Sequence, residues 1–348
     1  SRLAGGVSGL EAFLDETPGE VRAVVARNGR FERLIIQRDS DEPGLRLGAR
    51  SVGRVVAVDA GLKGAFVELG AGEPFGFLPL RKADRVEVGG KLEVDVAAEP
   101  REDKGPTLRL IGTGEGEPRL LAPGPTATEW LARLAPGVKP ITGPEAIRAV
   151  MEAEEEALAA EHSFPAGGLR LTVERTRALI AVDIDHAAAP GRDGARDKAR
   201  ANRAGLTQAA RLIRLKGWGG LAAVDLIGAG HDGAAITAAA RAAFGDDPDT
   251  VYGPVNRFGV MMLSLPWRWT PVEERLQGRD RRPTLETRAI EAVRKLALAL
   301  AEDRASPYLT LRCAPAVAAA ATPLAARLGP RARVAADPEA AGVEIDGV

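Results

Sequence analysis

Three aspartates lie in two short apolar segments of this sequence. Residues 179–186 read LIAVDIDH and residues 221–227 read LAAVDLI, so the segments carry Asp183, Asp185 and Asp225. Continuous aliphatic runs of this kind are typical of parallel strands that are covered on both faces. The stretch from about 193 to 216 has a helical pattern, which predicts a right-handed strand–helix–strand unit. Both strand ends would then lie at the same edge of the sheet, and we expect the three carboxylates to converge there.

Converging carboxylates repel one another unless a hard divalent cation lies between them. The sequence therefore predicts a Mg²⁺ site formed by Asp183, Asp225 and Asp185, with Mn²⁺ as a substitute. The alternative is structural, because an aspartate at the end of a strand also serves as a helix N-cap or in a salt bridge. Both interpretations stay open at this point.

Composition limits the class of protein before any further motif is considered. The chain has 348 residues, 45% of them hydrophobic, and a formal net charge of -1. Its length predicts two or more domains. We find no apolar run long enough to span a bilayer and no signal sequence, so we expect a cytoplasmic protein without membrane contact. The single cysteine, Cys313, excludes a cysteine-rich zinc site within one chain, and no zinc is expected.

The N-terminal third is rich in strand patterns. Two alternating segments flank Asn28-Gly29, which predicts a β-hairpin. Five further short strands with glycine-rich turns follow, and this number of strands indicates a small closed barrel of the OB type. They are expected at residues 52–58, 64–69, 76–80, 91–97 and 107–111.

Two aromatic residues of the predicted barrel are candidates for RNA binding. Phe66 and Phe77 lie on adjacent strands and would share one face, where unpaired bases stack. Lys104, in a nearby loop, is positioned to contact a phosphate. Alternatively, the two phenylalanines belong to the core, as most phenylalanines do.

These motifs resemble the ribonuclease E/G family. Residues 53–80 look like the S1-type RNA-binding domain of that family, and residues 165–259 look like its catalytic part. Asp183 and Asp225 match the two magnesium-binding aspartates, while Asp185 stands where the family usually has asparagine. Phe66, Phe77 and Lys104 match residues that hold single-stranded RNA. Arg257, in the string Asn-Arg-Phe-Gly, matches an arginine near the catalytic phosphate.

The resemblance also implies a fold and a set of domains. The fold class is α/β, with a DNase I-like and RNase H-like catalytic region into which an S1-type OB-fold barrel is inserted. The expected regions are 1–47 and 145–165 for the RNase H-like part, 48–111 for the barrel, 112–144 for a linker with at most one short helix, 166–275 for the DNase I-like part and 276–348 for a small C-terminal domain. A homodimer through that last region is the assembly that the resemblance suggests.

Two departures from the family pattern affect the expected function. The segment 112–144 lacks the string around which longer members build a 5′-monophosphate pocket, and the zinc-link cysteines are missing. We therefore expect a Mg²⁺-dependent endoribonuclease that cuts single-stranded RNA independently of its 5′ end. The alternative is an inactive RNA-binding protein on the same scaffold, and a nuclease for DNA is less favoured. His186 and His231 follow the two aspartate strands. Either is a candidate proton shuttle, but we favour their interpretation as loop residues without an assigned role.

Several basic residues are further candidates for contacts with the RNA backbone, although most charged runs are simply solvated. They are Arg192, Arg196, Lys198, Arg200 and Arg203 along the predicted helix, and Arg275, Arg279, Arg281 and Arg282 after it.

Overall fold

The protein is a mixed α/β chain with several sheets, as the computed structural model shows. The structure describes residues 9–186, 194–245 and 247–347. These residues form seven α-helices and four sheets. The chain divides into two compact units. Unit 1 combines Ser1–Glu154 with Thr270–Val348, and unit 2 is Glu155–Trp269.

Unit 1 begins with a three-stranded antiparallel sheet. Its strands are β1 (Leu10–Thr17), β2 (Glu20–Arg27) and β3 (Arg30–Arg38), in that order. The predicted hairpin is confirmed, because β2 pairs with β3 around Asn28 and Gly29. Both turn residues have left-handed backbone angles, with φ of 51° and 73°, as a two-residue turn of this kind requires.

A second sheet of unit 1 contains all five strands predicted for the barrel region. They are β4 (Arg50–Asp59), β5 (Gly64–Glu68), β6 (Gly76–Pro79), β7 (Lys91–Ala98) and β8 (Thr107–Thr113). The strand order is β5-β6-β8-β7-β4, and β4 also pairs with β5. The pairings of these five strands therefore form a closed circuit. Aliphatic side chains such as Val55, Val67, Leu78 and Val96 fill a common core.

The segment after β8 is more ordered than a plain connection. The strand β9 (Arg119–Ala122) pairs with β4 and extends the sheet. The predicted short helix is present as α1 (Ala127–Leu134), which begins with a capping box of Thr126 and Glu129. It is followed by α2 (Pro144–Leu158).

Unit 2 contains a six-stranded sheet with two helices. The order of its strands is β10-β11-β12-β13-β15-β14. The predicted crossover is confirmed, since α3 connects β12 to β13 and these two strands pair in parallel. The bounds are β10 (Glu161–Phe164), β11 (Leu169–Arg175), β12 (Ile180–His186), α3 (Ala195–Lys216), β13 (Gly220–Asp225), α4 (Gly233–Phe244), β14 (Val251–Val255) and β15 (Val260–Leu265).

The expectation that this sheet is covered on both faces is wrong. Ile180, Val182 and Ile184 are buried against the core that α3 supplies, whereas the residues between them are exposed. The other neighbouring strands of the sheet pair antiparallel. Antiparallel sheets commonly leave one face to solvent. Alanines on the exposed face made the strands look continuously apolar in the sequence, which is why alternation was not recognised.

The chain returns to unit 1 with the segment Thr270–Val348. A third sheet has the order β17-β16-β18, and it packs with α6 and α7 around Leu296, Leu311 and Val317. No helix in the described part of the chain has both the length and the apolar composition needed to cross a bilayer. The bounds are α5 (Val272–Leu276), α6 (Leu285–Glu302), β16 (Leu309–Cys313), α7 (Pro315–Ala326), β17 (Ala332–Ala336) and β18 (Glu344–Gly347).

A buried network of charged side chains joins the two chain segments of unit 1. Arg294 of α6 contacts Asp15 and Glu20 at 2.7 Å each, and Arg22 and Arg38 contact the same Glu20 carboxylate at 2.5 and 2.7 Å. Arg22 and Arg294 are completely buried. Burial alone would raise the pKa of Glu20, but Arg22, Arg294 and Arg38 lower it to about 2. The segment after unit 2 is therefore attached to the N-terminal sheet by ion pairs.

Candidate active site

Asp183 and Asp225 face each other across the parallel strand pair. They occupy the same register position of β12 and β13. Neighbouring strands lie about 4.8 Å apart, so the two carboxylates are close enough to share a ligand. Asp185 lies two residues further along β12 and therefore on the same face as Asp183. All three side chains are exposed, on the face of the sheet opposite to α3.

The electrostatics of this position favour a cation. Burial, the charge of Asp225 and the charge of Asp185 all raise the pKa of Asp183 above its ordinary value. The ion pairs found between described residues include none with Asp183 or Asp225. Two hard oxygen donors for which no ion pair is found among the described residues fit a divalent cation such as Mg²⁺. A set of three or more His, Cys, Asp or Glu side chains arranged around one metal position is not found among the described residues.

The structural alternative for these aspartates finds no support in the described residues. Asp183 and Asp185 lie inside β12, and the N-cap of the helix that follows β13 is Asp232 rather than Asp225. Asp185 makes one local contact, because its Oδ1 accepts a hydrogen bond of 2.7 Å from the backbone N–H of His186.

Arg257 lies at the exposed tip of the hairpin between β14 and β15. Val260, three residues later, pairs with Asp225, so the hairpin attaches to the sheet at the register of the aspartate pair. The guanidinium lies 4.8 Å from the ring centre of Phe258, a residue that is 73% exposed. Asn256 shapes the tip, since its Oδ1 accepts hydrogen bonds from the N–H groups of Phe258 and Val260.

A buried asparagine holds the backbone next to Asp225. Asn202 of α3 donates to the carbonyl of Ile227 and accepts from the N–H of the same residue. Asn202 was not among the candidates identified from the sequence. Its signal was a polar residue four positions before Leu206, on a helix face that carries mainly apolar side chains.

Phe66 and Phe77 share one face of the barrel region, as the sequence predicts. They are register partners on β5 and β6, and their ring centres are 5.6 Å apart at an angle of 60°. Neither ring belongs to the core cluster of this sheet, and both are partly exposed. Gly64 leaves room for the Phe77 ring, because a Cβ there would lie 2.2 Å from that ring.

Lys104 lies in a loop that adjoins the strand of Phe77. The N–H of Phe77 donates to the carbonyl of Pro106, two residues after Lys104. The Lys104 side chain is mostly exposed and lies 3.6 Å from Glu102. Phe66, Phe77 and Lys104 belong to unit 1, whereas Asp183, Asp185, Asp225 and Arg257 belong to unit 2.

The other basic candidates differ in their surroundings. Arg275 does not fit an RNA contact, since it pairs with Asp41 at 2.8 Å and with Glu99 at 3.1 Å. Arg279 pairs with Asp103 at 3.0 Å. Arg196, Arg200 and Arg203 are exposed on α3, while Arg192 lies outside the described residues. His231 makes a local contact of 3.0 Å between its Nε2 and the carbonyl of Gly228.

Comparison with known proteins supports the resemblance inferred from the motifs. Residues 132–264 match the sequence model of the Ribonuclease E/G family. The matched stretch includes Asp183, Asp185, Asp225 and Arg257, and it ends before α5. The barrel region lies outside it. No curated protein matches the chain significantly.

Proposed function

We propose that the chain is an endoribonuclease acting on single-stranded RNA, because residues 132–264 match the sequence model of the Ribonuclease E/G family. One observation carries the proposal. Asp183 and Asp225 stand in register on an exposed sheet face, inside the stretch that matches the family. A phosphodiester carries negative charge, and a cation held by the two carboxylates would offset their repulsion of it and stabilise the charge of the transition state.

The aspartates are proposed to hold that cation. Asp183 and Asp225 would bind Mg²⁺, or Mn²⁺ in its place, with Asp185 beside them. The ion supplies Lewis-acid chemistry at a phosphate oxygen when it is bound. Arg257 would bind another oxygen of the same phosphate, since its planar guanidinium suits that partner. Water attack on phosphorus would break the bond to the 3′ oxygen and leave a 5′-phosphate and a 3′-hydroxyl.

The barrel region is proposed to bind the RNA. The closed circuit of five strands supports an S1-type OB-fold, a fold that binds single strands. Unpaired bases would stack on Phe66 and Phe77, and Lys104 would contact a phosphate. Such stacking requires bases that are not already paired, which favours single-stranded RNA over duplex.

The family resemblance supports a more detailed architecture as a proposal. Residues 1–47 and 145–165 would form the RNase H-like part, 166–275 the DNase I-like part and 276–348 a small domain through which two chains associate. Cleavage would not depend on the 5′ end, because the stretch 112–144 lacks the sensor string.

A cleavage assay tests the proposed activity directly. Purified protein is incubated with a labelled, unstructured RNA in Mg²⁺ and, separately, in EDTA, with the same RNA annealed to its complement as a control. We expect cuts within the single strand in Mg²⁺ only, and products with 5′-phosphate ends. An intact RNA in Mg²⁺, or equal cleavage in EDTA, would contradict the proposal.

The second candidate is an RNA-binding protein without catalysis. It is favoured by Asp185, which stands where the family usually has an asparagine, and by the missing sensor string in the stretch 112–144. In the same assay this protein would retain the labelled RNA in a complex and leave it uncut.

A further inference from the structure

Asn202 is a buried polar side chain on a face of α3 that carries mainly apolar residues. It is 1% exposed and lies on the face of α3 that also carries Leu206, Ala209 and Ile213. Burying an amide without hydrogen bonds costs about 1 to 3 kcal/mol by mutational measurements. Asn202 therefore needs partners, and the structure shows which ones it has.

Both polar groups of the Asn202 amide bind one residue of the loop after β13. The Nδ2 group donates to the carbonyl of Ile227 at 3.1 Å, and the Oδ1 atom accepts from the N–H of Ile227 at 2.8 Å. This two-point contact fixes the orientation of the peptide groups on both sides of Ile227. Ile227 is only two residues after Asp225, so the restraint acts directly on the backbone that carries the carboxylate.

The same loop also holds the hairpin of Arg257. The N–H of Leu226 donates to the carbonyl of Gly259 at 3.1 Å. Gly259 has a φ of 82°, and a Cβ at this position would approach the carbonyl of Gly228 to 3.3 Å. The hairpin tip therefore rests against the loop that Asn202 restrains.

We infer that Asn202 is a positioning residue that sets the placement of Asp225 and Arg257 relative to each other. The inference rests on the proposed function for its catalytic consequence. The hydrogen bonds found for Asn202 among the described residues go to the backbone of Ile227, so it acts through Ile227 and the hydrogen bond between Leu226 and Gly259. Catalytic groups lose much of their effect when they are displaced by about 1 Å. We call the two hydrogen bonds between the Asn202 amide and the backbone of Ile227 the clamp. Loss of the clamp should therefore lower kcat and leave the KM for RNA nearly unchanged.

Two substitutions of Asn202 distinguish the effect of its hydrogen bonds from the effect of its packing. Asn202→Leu keeps the shape of the side chain and removes both hydrogen bonds. Asn202→Asp keeps the acceptor for the Ile227 N–H but cannot donate to the carbonyl when ionised, so it should give an intermediate effect. Gln208→Leu is the matched control, because Gln208 lies on the same helix and its Oε1 accepts from Arg211 at 2.7 Å, away from the loop.

Amide hydrogen exchange tests the clamp without any cleavage. In Asn202→Leu, exchange at Ile227 should be faster by about tenfold or more, and kcat should fall by about 10- to 100-fold at unchanged KM. Gln208→Leu should change neither quantity. Unchanged exchange at Ile227, or a kcat equal to that of the control, would overturn the inference. If Asn202→Leu does not fold, the same measurements are made on Asn202→Asp instead. Absence of cleavage by the unaltered protein would refute the proposed function, while the exchange measurement would still decide on the clamp.

Discussion

At the scale of single residues, Phe66 and Phe77 form an aromatic pair that lies outside the core cluster of their sheet. Their rings touch each other on a partly exposed face, and the core of the sheet is filled by other side chains. An aromatic pair that stays exposed to water gains little free energy from burial, but its rings offer two surfaces on which bases stack. The arrangement therefore favours the role in RNA binding over the structural alternative.

Removing either ring should weaken RNA binding. We expect Phe66→Ala and Phe77→Ala each to cost about 1 to 3 kcal/mol in affinity for a short unstructured RNA through lost stacking. Fluorescence anisotropy with labelled RNA measures this loss. Leu62→Ala is the control, since Leu62 is 59% exposed in the same region but is not part of the aromatic pair. Unchanged affinity together with a lower melting temperature would instead identify the phenylalanines as structural.

Residue types with a distinct chemistry could be identified from the sequence, and residues that act through the backbone could not. Asp183 and Asp225 stood out because carboxylates are unusual in aliphatic strands, and their parallel register is confirmed. Asn202 is one polar residue in a long helix, and its role depends on a loop that is 25 residues away in the sequence. Only the folded structure brings the two together.

At the scale of elements, the contact between α3 and β12 determines how the carboxylate strand is supported. Gly205 of α3 packs against Ile184, the residue between Asp183 and Asp185. A Cβ at Gly205 would lie 2.5 Å from the Cγ2 atom of Ile184, which is closer than side chains approach. Glycine at this position therefore permits the close approach of helix and strand.

The substitution Gly205→Ala should destabilise unit 2 and disturb the site. Overpacking costs about 1 to 3 kcal/mol, which exceeds the gain of up to about 1 kcal/mol from the higher helix propensity of alanine. Chemical unfolding and the cleavage rate measure the two effects. Combining Ile184→Ala with Gly205→Ala should restore part of the cleavage activity, because the smaller side chain makes room for the added Cβ. The control is Gly233→Ala in α4, where a Cβ would meet no atom within 4 Å. Equal effects of Gly205→Ala and Gly233→Ala would contradict this account.

Most elements of the fold could be predicted from the sequence, but the solvent exposure of one face of the sheet in unit 2 could not. The hairpin at Asn28-Gly29, the five strands of the barrel region and the crossover helix follow from turn residues and periodicity. The exposed face of the six-stranded sheet was missed because Ala181 and Ala223 occupy positions where an alternating strand usually has polar residues. β9 was missed because its four residues lie between proline and glycine signals that indicate a connection.

At the scale of the whole molecule, ion pairs attach the returning chain to the N-terminal sheet. Glu20 accepts from three arginines, one of which, Arg294, comes from the segment after unit 2. A buried ion pair contributes little net stability compared with apolar packing, but the loss of one partner is costly because it leaves unpaired charges. Unit 1 therefore depends on the ionised state of Glu20.

This dependence predicts a loss of stability in acid. The pKa of Glu20 is lowered from 4.5 to about 2, so the carboxylate stabilises the folded state above pH 4.5 and this contribution disappears as the pH falls toward 2. Glu20→Gln should lower the free energy of unfolding by about 3 to 5 kcal/mol at neutral pH and flatten its dependence on pH in that window. Urea unfolding at several pH values measures both. Glu16→Gln, at an exposed position of β1, is the control. An equal pH dependence for Glu20→Gln and the unaltered protein would disprove the role of Glu20.

The cleavage rate should be independent of the 5′ end of the RNA. The two arginines of the stretch 112–144 are engaged locally, because Arg119 donates to the carbonyls of Glu115 and Glu117 and Arg133 stacks on Trp130. We expect similar rates for RNAs with a 5′-monophosphate, a 5′-triphosphate or a circular backbone. A preference of about tenfold for the monophosphate, equivalent to about 1.4 kcal/mol, would show that a sensor exists.

We propose that Asp183 and Asp225 act together as the centre of RNA hydrolysis. The most direct measurement compares RNA cleavage in Mg²⁺ by Asp183→Asn, Asp225→Asn and the double variant, with RNA affinity measured in parallel. Glu174→Gln is the control, because Glu174 is an exposed carboxylate of the neighbouring strand β11. We predict that each single variant loses cleavage by about 100-fold or more, that the double variant is no worse than either, and that RNA affinity is kept. A wild-type cleavage rate in either single variant would contradict the account.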